Sequence, residues 1–222
     1  MGTNIKSEDA SKRIAEDFDE KACEFCDRYK ESGLSASSKI LLGFLTDDGI
    51  RGKSLLDLGC GAGAFTLEAL KAGATNTVGM DLSAVMIKTA SDLAGSSGFG
   101  AVAMFQVGNA AETDLPACDI VVLDKVICCY PDFSKLLGNA GGASRESLAF
   151  VIPRNAGLVG LFLRPGAWLM NLFEKRRKGS LFYMHSLDRI DAVLKSHGFE
   201  QSRRKASRIW LAFLYHRAHT PT

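Results

Sequence analysis

The chain has 222 residues, 46% hydrophobic and 23% charged, with a formal net charge of +2. That length suits one domain with a sizeable core, and the near-neutral balance speaks against a broad nucleic-acid footprint. The N-terminal stretch is polar without a signal-peptide core, and no unbroken apolar run reaches membrane-spanning length. The six cysteines, without a secretory signal, predict a cytoplasmic protein with reduced thiols rather than a disulfide framework.

Residues 11–30 carry Ile14, Phe18, Ala22, Phe25 and Tyr29 at helical spacing, and "SSKILLGFL" predicts a second helix after the break at "ESGLS". From there the pattern alternates. "KSLLDLG" reads as a buried strand and "AFTLEALKAGA" as a helix ending at Gly73; "TNTVGMD" is a strand and "SAVMIKTASDLAG" a helix capped by Ser83. "AVAMFQVG", "CDIVVLD" and "SLAFVIP" read as further strands, with a helix near "DFSKLLGNA". Residues 154–185 follow, then an amphipathic helix "SLDRIDAVLKSHGF" and a hairpin in "EQSRRKASRIWLAFLYHR".

Strands alternating with helices predict an α/β, doubly wound, mostly parallel seven-stranded sheet with a C-terminal antiparallel hairpin at its edge. The expected division is a helical cap over 1–50, a binding core over 51–153, an insertion over 154–185, and the last helix with the hairpin over 186–222. The N-terminal helices are expected to cap the ligand side.

The stretch "LLDLGCGAGAF" places Gly59, Gly61 and Gly63 between the first strand and its helix, where open parallel sheets bind ligands. The loop also matches a dinucleotide fingerprint, with Ala64 at the last small position. Asp57 discriminates, because a diphosphate beside it is repelled while a ligand with an ammonium or sulfonium is attracted. S-adenosylmethionine is such a ligand. Asp81, about twenty residues after the loop, suits ribose hydroxyls, and Asn109 in "VGNAAETDLP" suits an adenine amino group. The alternative is that Asp57 and Asp81 only cap loops.

These residues resemble the class I S-adenosylmethionine-dependent methyltransferases: "LLDLGCGAGAF" is similar to their first motif, "VGMDLS" to the second, and "GNAAETDLP" with "CDIVVLDKV" to the third and fourth. The likeness spans roughly Leu34 to Ile152; Asn109 stands where aspartate is commoner. "VVLDKVICCYPDFSKLL" and "FDEKACEFCDRYKESGL" resemble a bacterial group likened to magnesium-protoporphyrin O-methyltransferase. The resemblance implies a Rossmann-like fold and S-adenosylmethionine as cofactor, with S-adenosylhomocysteine as product. It implies cofactor contacts from Asp57, Gly59, Cys60, Gly61, Gly63, Asp81, Leu82, Met86, Asn109, Ala110, Asp124, Lys125 and Val126.

Around the fourth strand's end, Cys128, Cys129 and Tyr130 are expected on the substrate side; the other reading makes the cysteines small buried hydrophobes. Tyr29 is read as covering the ligand or as core. Tyr130 and His185 are the candidate catalytic residues, His185 having a structural alternative near a helix start. Arg154 and Trp168 are candidate substrate contacts, Arg154 through a substrate carboxylate. No metal is expected: Cys23 and Cys26 form a C-x-x-C, but Cys128 and Cys129 have the wrong spacing for a second pair.

Residues 154–185 have three functional readings, a substrate lid, which is the favoured one, a surface resting on a membrane, or a homodimer contact, beside a purely structural one, an extra helical pair with a solvated charged turn. The run "NAGLVGLFLRPGAWLMNLF" is expected to break at Arg164, Pro165 and Gly166. O-methylation of a small molecule is the first reading of the reaction. Methyl transfer to a thiol or metalloid, a non-catalytic binding subunit, and a nicotinamide-dependent oxidoreductase are its rivals.

Overall fold

The computed structural model describes residues 7–155, 157–177 and 179–218. Two helices, α1 (Ser7–Ser32) and α2 (Ala36–Asp47), precede the first strand. The alternating part runs β1 (Ser54–Leu58), α3 (Ala64–Lys71), β2 (Thr75–Asp81), α4 (Ala84–Ser96), β3 (Ala103–Val107), β4 (Cys118–Asp124), α5 (Phe133–Ala143) and β5 (Ser144–Pro153). A short 3-10 turn, Ile127–Cys129, follows β4. Then come α6 (Gly157–Arg177), α7 (Leu187–Ser196), β6 (Phe199–Ser207) and β7 (Trp210–Arg217).

The sheet order is β3-β2-β1-β4-β5-β7-β6. β1 pairs in parallel with both β2 and β4, so the order reverses there and the crevice lies beyond their carboxyl ends. β7 runs antiparallel between β5 and β6. The expected antiparallel hairpin thus forms the sheet's edge, with its second strand, β7, next to β5 and β6 outermost.

Alternation along the strands sorts the core onto two faces. Leu56, Leu58, Leu123, Phe150 and Tyr215 pack with α5 and α7, while Leu55, Ile120, Val122 and Leu214 pack with α2 and α3. Leu41 and Leu45 of α2 are fully buried in that second face. The body of α2 is thus a layer helix, and only its N-terminal turn reaches the ligand edge; α1 packs across α4 and caps it.

The insertion forms one helix. α6 continues through Pro165, where the sequence suggests a break. Proline fixes a helix-compatible φ and removes one hydrogen bond, which one turn can tolerate on an open surface. Among the described residues, no helix is long and apolar enough to cross a membrane.

Candidate active site

The loop after β1 depends on three glycines in the left-handed region, at φ 69 for Gly59, 52 for Gly61 and 80 for Gly63. Gly59 and Cys60 donate their N–H groups to the carbonyl of Met80, at 2.7 and 3.1 Å, tying the loop to β2. A Cβ on Gly59 would stand 2.4 Å from Val126 Cγ2, so the loop and the turn after β4 touch only because Gly59 has none. Gly63 is the uncapped start of α3. A Cβ there would lie 2.9 Å from Ala90 Cβ, so this glycine serves the packing of α3 on α4.

Three carboxylates edge the cavity beyond this loop. Asp57 is 1% exposed. Its Oδ2 accepts from the Thr66 hydroxyl at 2.7 Å, and its Oδ1 has no partner. Burial pushes its carboxyl up to about 7; the Thr66 bond opposes the shift, and the nearby Asp124 and Asp81 add to it. Asp81 accepts from the N–H of Gly61 through Oδ2 and of Ser83 through Oδ1, both at 2.9 Å. Burial raises its pKa against those main-chain bonds. A carboxylate has about four lone-pair sites, so Asp81 keeps accepting capacity.

Asp124 accepts from the Ser38 hydroxyl and from Lys125 Nζ, the latter at 3.1 Å. Lys125 Nζ also reaches Ser35 Oγ at 2.9 Å and Ser38 Oγ at 2.8 Å, so the first turn of α2 is fastened to the end of β4. Lys125 itself stands at φ 65.

The cavity measures about 300 Å³. α1 closes it with Ile14, Phe18, Phe25 and Tyr29. That helix is held at two points. Tyr29 donates to Glu68 at 2.6 Å and accepts from Lys71 at 3.1 Å, and Asp19 accepts from the Ser83 hydroxyl and the N–H of Val85 at the start of α4.

Of the sequence-predicted residues, Asp57, Gly59, Cys60, Gly61, Asp81, Leu82, Ala110, Asp124, Lys125 and Val126 line this cavity, together with Tyr29, Cys129 and Tyr130. The others do not. Gly63 and Met86 serve helix packing, Met86 being fully buried with its N–H on Ser83 Oγ. Asn109 spends its amide on protein partners: Oδ1 accepts from the Tyr130 hydroxyl and the N–H of Ala111, and Nδ2 donates to Ser11 of α1. Cys128 is buried behind the wall, its carbonyl accepting from the Tyr183 N–H at 2.6 Å.

His185 Nε2 lies 2.9 Å from the carbonyl of Tyr130, and its ring packs on Phe133 and Tyr183 outside the cavity. Burial lowers its pKa. Arg154 donates to the carbonyl of Arg208 at 3.1 Å and supports the β6–β7 turn. Trp168 projects from α6, and no described residue of α6 lines the cavity. Cys26 is buried with Ala22 and Met86 while Cys23 is exposed; among the described residues no three histidine, cysteine or acidic side chains converge as a metal set.

Sequence reading missed Ser35, Ser38 and Thr66. Ser35 had a signal: it caps α2, its side chain accepting from the N–H of Ser38. Thr66 had none, since only the fold brings its hydroxyl under Asp57.

A family model described as a methyltransferase domain matches residues 51–207. The chain belongs to that methyltransferase family. It is 29% identical over 175 residues to magnesium-protoporphyrin O-methyltransferase of Rhodobacter capsulatus, covering 78% of this chain and 74% of that one. Ribosomal protein L11 methyltransferase of Syntrophomonas wolfei is 28% identical over 116 residues, half of this chain but 38% of the relative. Among solved structures, magnesium protoporphyrin IX methyltransferase of Synechocystis PCC 6803 with bound SAH superposes with a TM-score of 0.71 at 19% identity, over 90% of this chain and 97% of that one. The methyltransferase is of the class I, S-adenosylmethionine-dependent kind, with the seven-stranded order that β7 completes.

Proposed function

We propose that this methyltransferase binds S-adenosylmethionine in the cavity at the β1–β4 crevice and methylates an oxygen of a small molecule. The observation that carries the cofactor site is the orphaned Oδ1 of Asp57: a buried carboxylate oxygen without a donor, on the cavity wall. Leaving it unpaired is costly, and an ammonium group satisfies it.

The remaining residues fit the same ligand. The uncapped first turn of α3 favours a carboxylate. Asp81 accepts from ribose hydroxyls with its free lone pairs. Gly108 and Ala110 line the next part of the wall, the side on which the base is placed. When bound, S-adenosylmethionine supplies a methyl group already activated by its sulfonium. The protein's task is to align the acceptor behind it and keep water out. α1 supplies the cover with Phe18 and Phe25, and Tyr130 is held against the wall by Asn109.

A carboxylate acceptor suits the wall. Arg28, ion-paired with Glu24, and Lys125, held by Asp124, Ser35 and Ser38, both line the cavity and place positive charge near an anionic oxygen. Such an acceptor is already deprotonated and needs no general base. The similarity to magnesium-protoporphyrin O-methyltransferase, whose name gives oxygen as the methyl acceptor, supports the same acceptor atom.

One observation favours sulfur instead: Cys129 lines the cavity with its thiol 4.0 Å from that of Cys128. The test is a screen with methyl-labelled S-adenosylmethionine against porphyrin carboxylates, phenols, thiols and trivalent arsenic. Label in an ester or ether that survives in Cys128→Ser and Cys129→Ser supports oxygen. Label only in thiol or metalloid products, lost in those variants, replaces that reading.

A further inference from the structure

α6 carries apolar side chains on its solvent face as well as on its half-buried one. Residues 165, 168, 169, 172 and 173 share an arc of about 140° on a helix of 3.6 residues per turn. All are apolar and all face solvent: Trp168 is 68% exposed, Phe173 55% and Leu169 48%, with Pro165 and Leu172 beside them. The half-buried face holds Val159, Leu163 and Ala167, and a polar residue beside them. Asn171 is half-buried, its Nδ2 donating to the carbonyl of Phe182 at 2.7 Å and its Oδ1 accepting from the Phe182 N–H at 2.8 Å. A water-facing helix places polar residues on its solvent face. Five adjacent large or apolar side chains on a protruding helix form the kind of patch that soluble surfaces avoid unless something covers it.

The charge around the patch selects the occupant. From Gly157 to Phe173 the helix has no acidic residue, and Arg164 is exposed on its flank. The sequence continues Glu174-Lys175-Arg176-Arg177-Lys178, four cations to one acid, although the side chains of 175–178 lie outside the described residues. An apolar stripe with a tryptophan, bordered by cations, matches the boundary between acyl chains and anionic headgroups. It does not match a protein groove, which would have to offer a flat apolar face and an acidic margin together.

We infer that α6 docks this protein on anionic lipid bilayers, lying in the interface with Trp168, Leu169, Leu172 and Phe173 immersed. The helix follows β5, whose end lies at the same carboxyl edge as the cavity, so docking holds the cavity's edge near the bilayer. Apolar insertion supplies the affinity, and the cations supply the preference for anionic headgroups.

The experiment is co-sedimentation of the full chain with phosphatidylcholine vesicles, with and without about one third phosphatidylglycerol. The expected result is binding about tenfold stronger to the anionic vesicles, weakened by salt. It comes with a blue shift of tryptophan emission that Trp168→Phe removes; Trp210, half-buried against α2, remains as background. The double variant Leu169→Glu/Phe173→Glu should stay folded, bind S-adenosylmethionine as the wild type does, and lose sedimentation with vesicles. Three results would overturn the inference: no sedimentation of the wild type with either vesicle, undiminished binding by the double variant, or a wild-type dimer that the double variant dissociates. The last would assign the face to a second copy.

Discussion

The Thr66 hydroxyl holds one oxygen of Asp57 at 2.7 Å and leaves the other bare. That asymmetry sets the character of the site. A carboxylate fully served by the protein would be a loop cap. One fixed on one side and open on the other is a receptor for a donor that the chain does not contain. The protein pays for it in the ligand-free state, where burial and two neighbouring acids hold the carboxyl at about 7.

Asp57→Asn should therefore separate stability from binding. The folded chain keeps a proton on Asp57 up to about pH 7, whereas the unfolded chain releases it near the ordinary value of 3.8. The resulting destabilisation is absent below that value, grows through the window between the two, and is complete above pH 7. At pH 8 the variant should melt higher than wild type without ligand. Its affinity for S-adenosylmethionine should fall about 10- to 100-fold, the worth of a charge-assisted hydrogen bond. Thermal melts with and without ligand check both signs.

Wild-type affinity for S-adenosylmethionine should follow the same group. It should be level above pH 7 and weaken by up to about tenfold per pH unit below it, as the carboxylate takes up its proton. Calorimetric titrations from pH 8 to pH 5.5 read this directly. An affinity that rises on acidification would show that Asp57 does not face the ammonium.

The glycines of the loop should differ in their tolerance. Gly59→Ala combines a left-handed φ with a Cβ inside the Val126 side chain, and should cost about 3 kcal/mol and abolish cofactor binding. Gly61→Ala meets only Met86 Sδ at 3.9 Å and should cost about 1 kcal/mol, from backbone strain alone. Urea denaturation of the two variants decides it.

Loosening the cap should change rates more than stability. Tyr29→Phe removes the hydroxyl shared with Glu68 and Lys71, and Ser38→Ala removes one tie to Asp124. Each bond is worth about 1 kcal/mol, so each variant should release S-adenosylhomocysteine about fivefold faster in stopped-flow displacement. A loss of turnover with unchanged release would instead place Tyr29 on the substrate.

His185 should behave as a structural residue. It holds the carbonyl of Tyr130 from outside the cavity, and burial lowers its pKa, so acid favours the unfolded chain as pH falls below its ordinary 6.5. His185→Phe should lower the melting temperature by the worth of one hydrogen bond, about 1 kcal/mol, and keep most of kcat. A collapse of kcat at unchanged stability would return His185 to the chemistry.

The sheet was legible because each strand carries its own pattern: apolar runs ending at Asp57, Asp81 and Asp124 mark three strand ends by themselves. The insertion of β7 beside β5 was not, since a hairpin's sequence pairs its two strands without saying which one meets the rest of the sheet. Glycine spacing located the ligand loop but made Gly63 and Gly61 look equivalent, although one packs α3 on α4 and the other bonds Asp81. Met86 and Asn109 fell near the site in sequence but do not line the cavity, because helix phase buries Met86 and the amide of Asn109 is taken by Tyr130, Ala111 and Ser11. The cover was half visible. Ile14, Phe18 and Phe25 show helical spacing, but which body that face meets depends on Tyr29 and Asp19 finding α3 and α4.

The most direct test is calorimetric titration of the chain with S-adenosylmethionine at pH 8, where Asp57 is charged, with NAD as comparison and Asp81→Ala as control. The account predicts one site per chain for S-adenosylmethionine, on the order of micromolar, weakened at least tenfold in the variant, and no heat from NAD. Tight binding of NAD, or S-adenosylmethionine binding indifferent to Asp81, would contradict it.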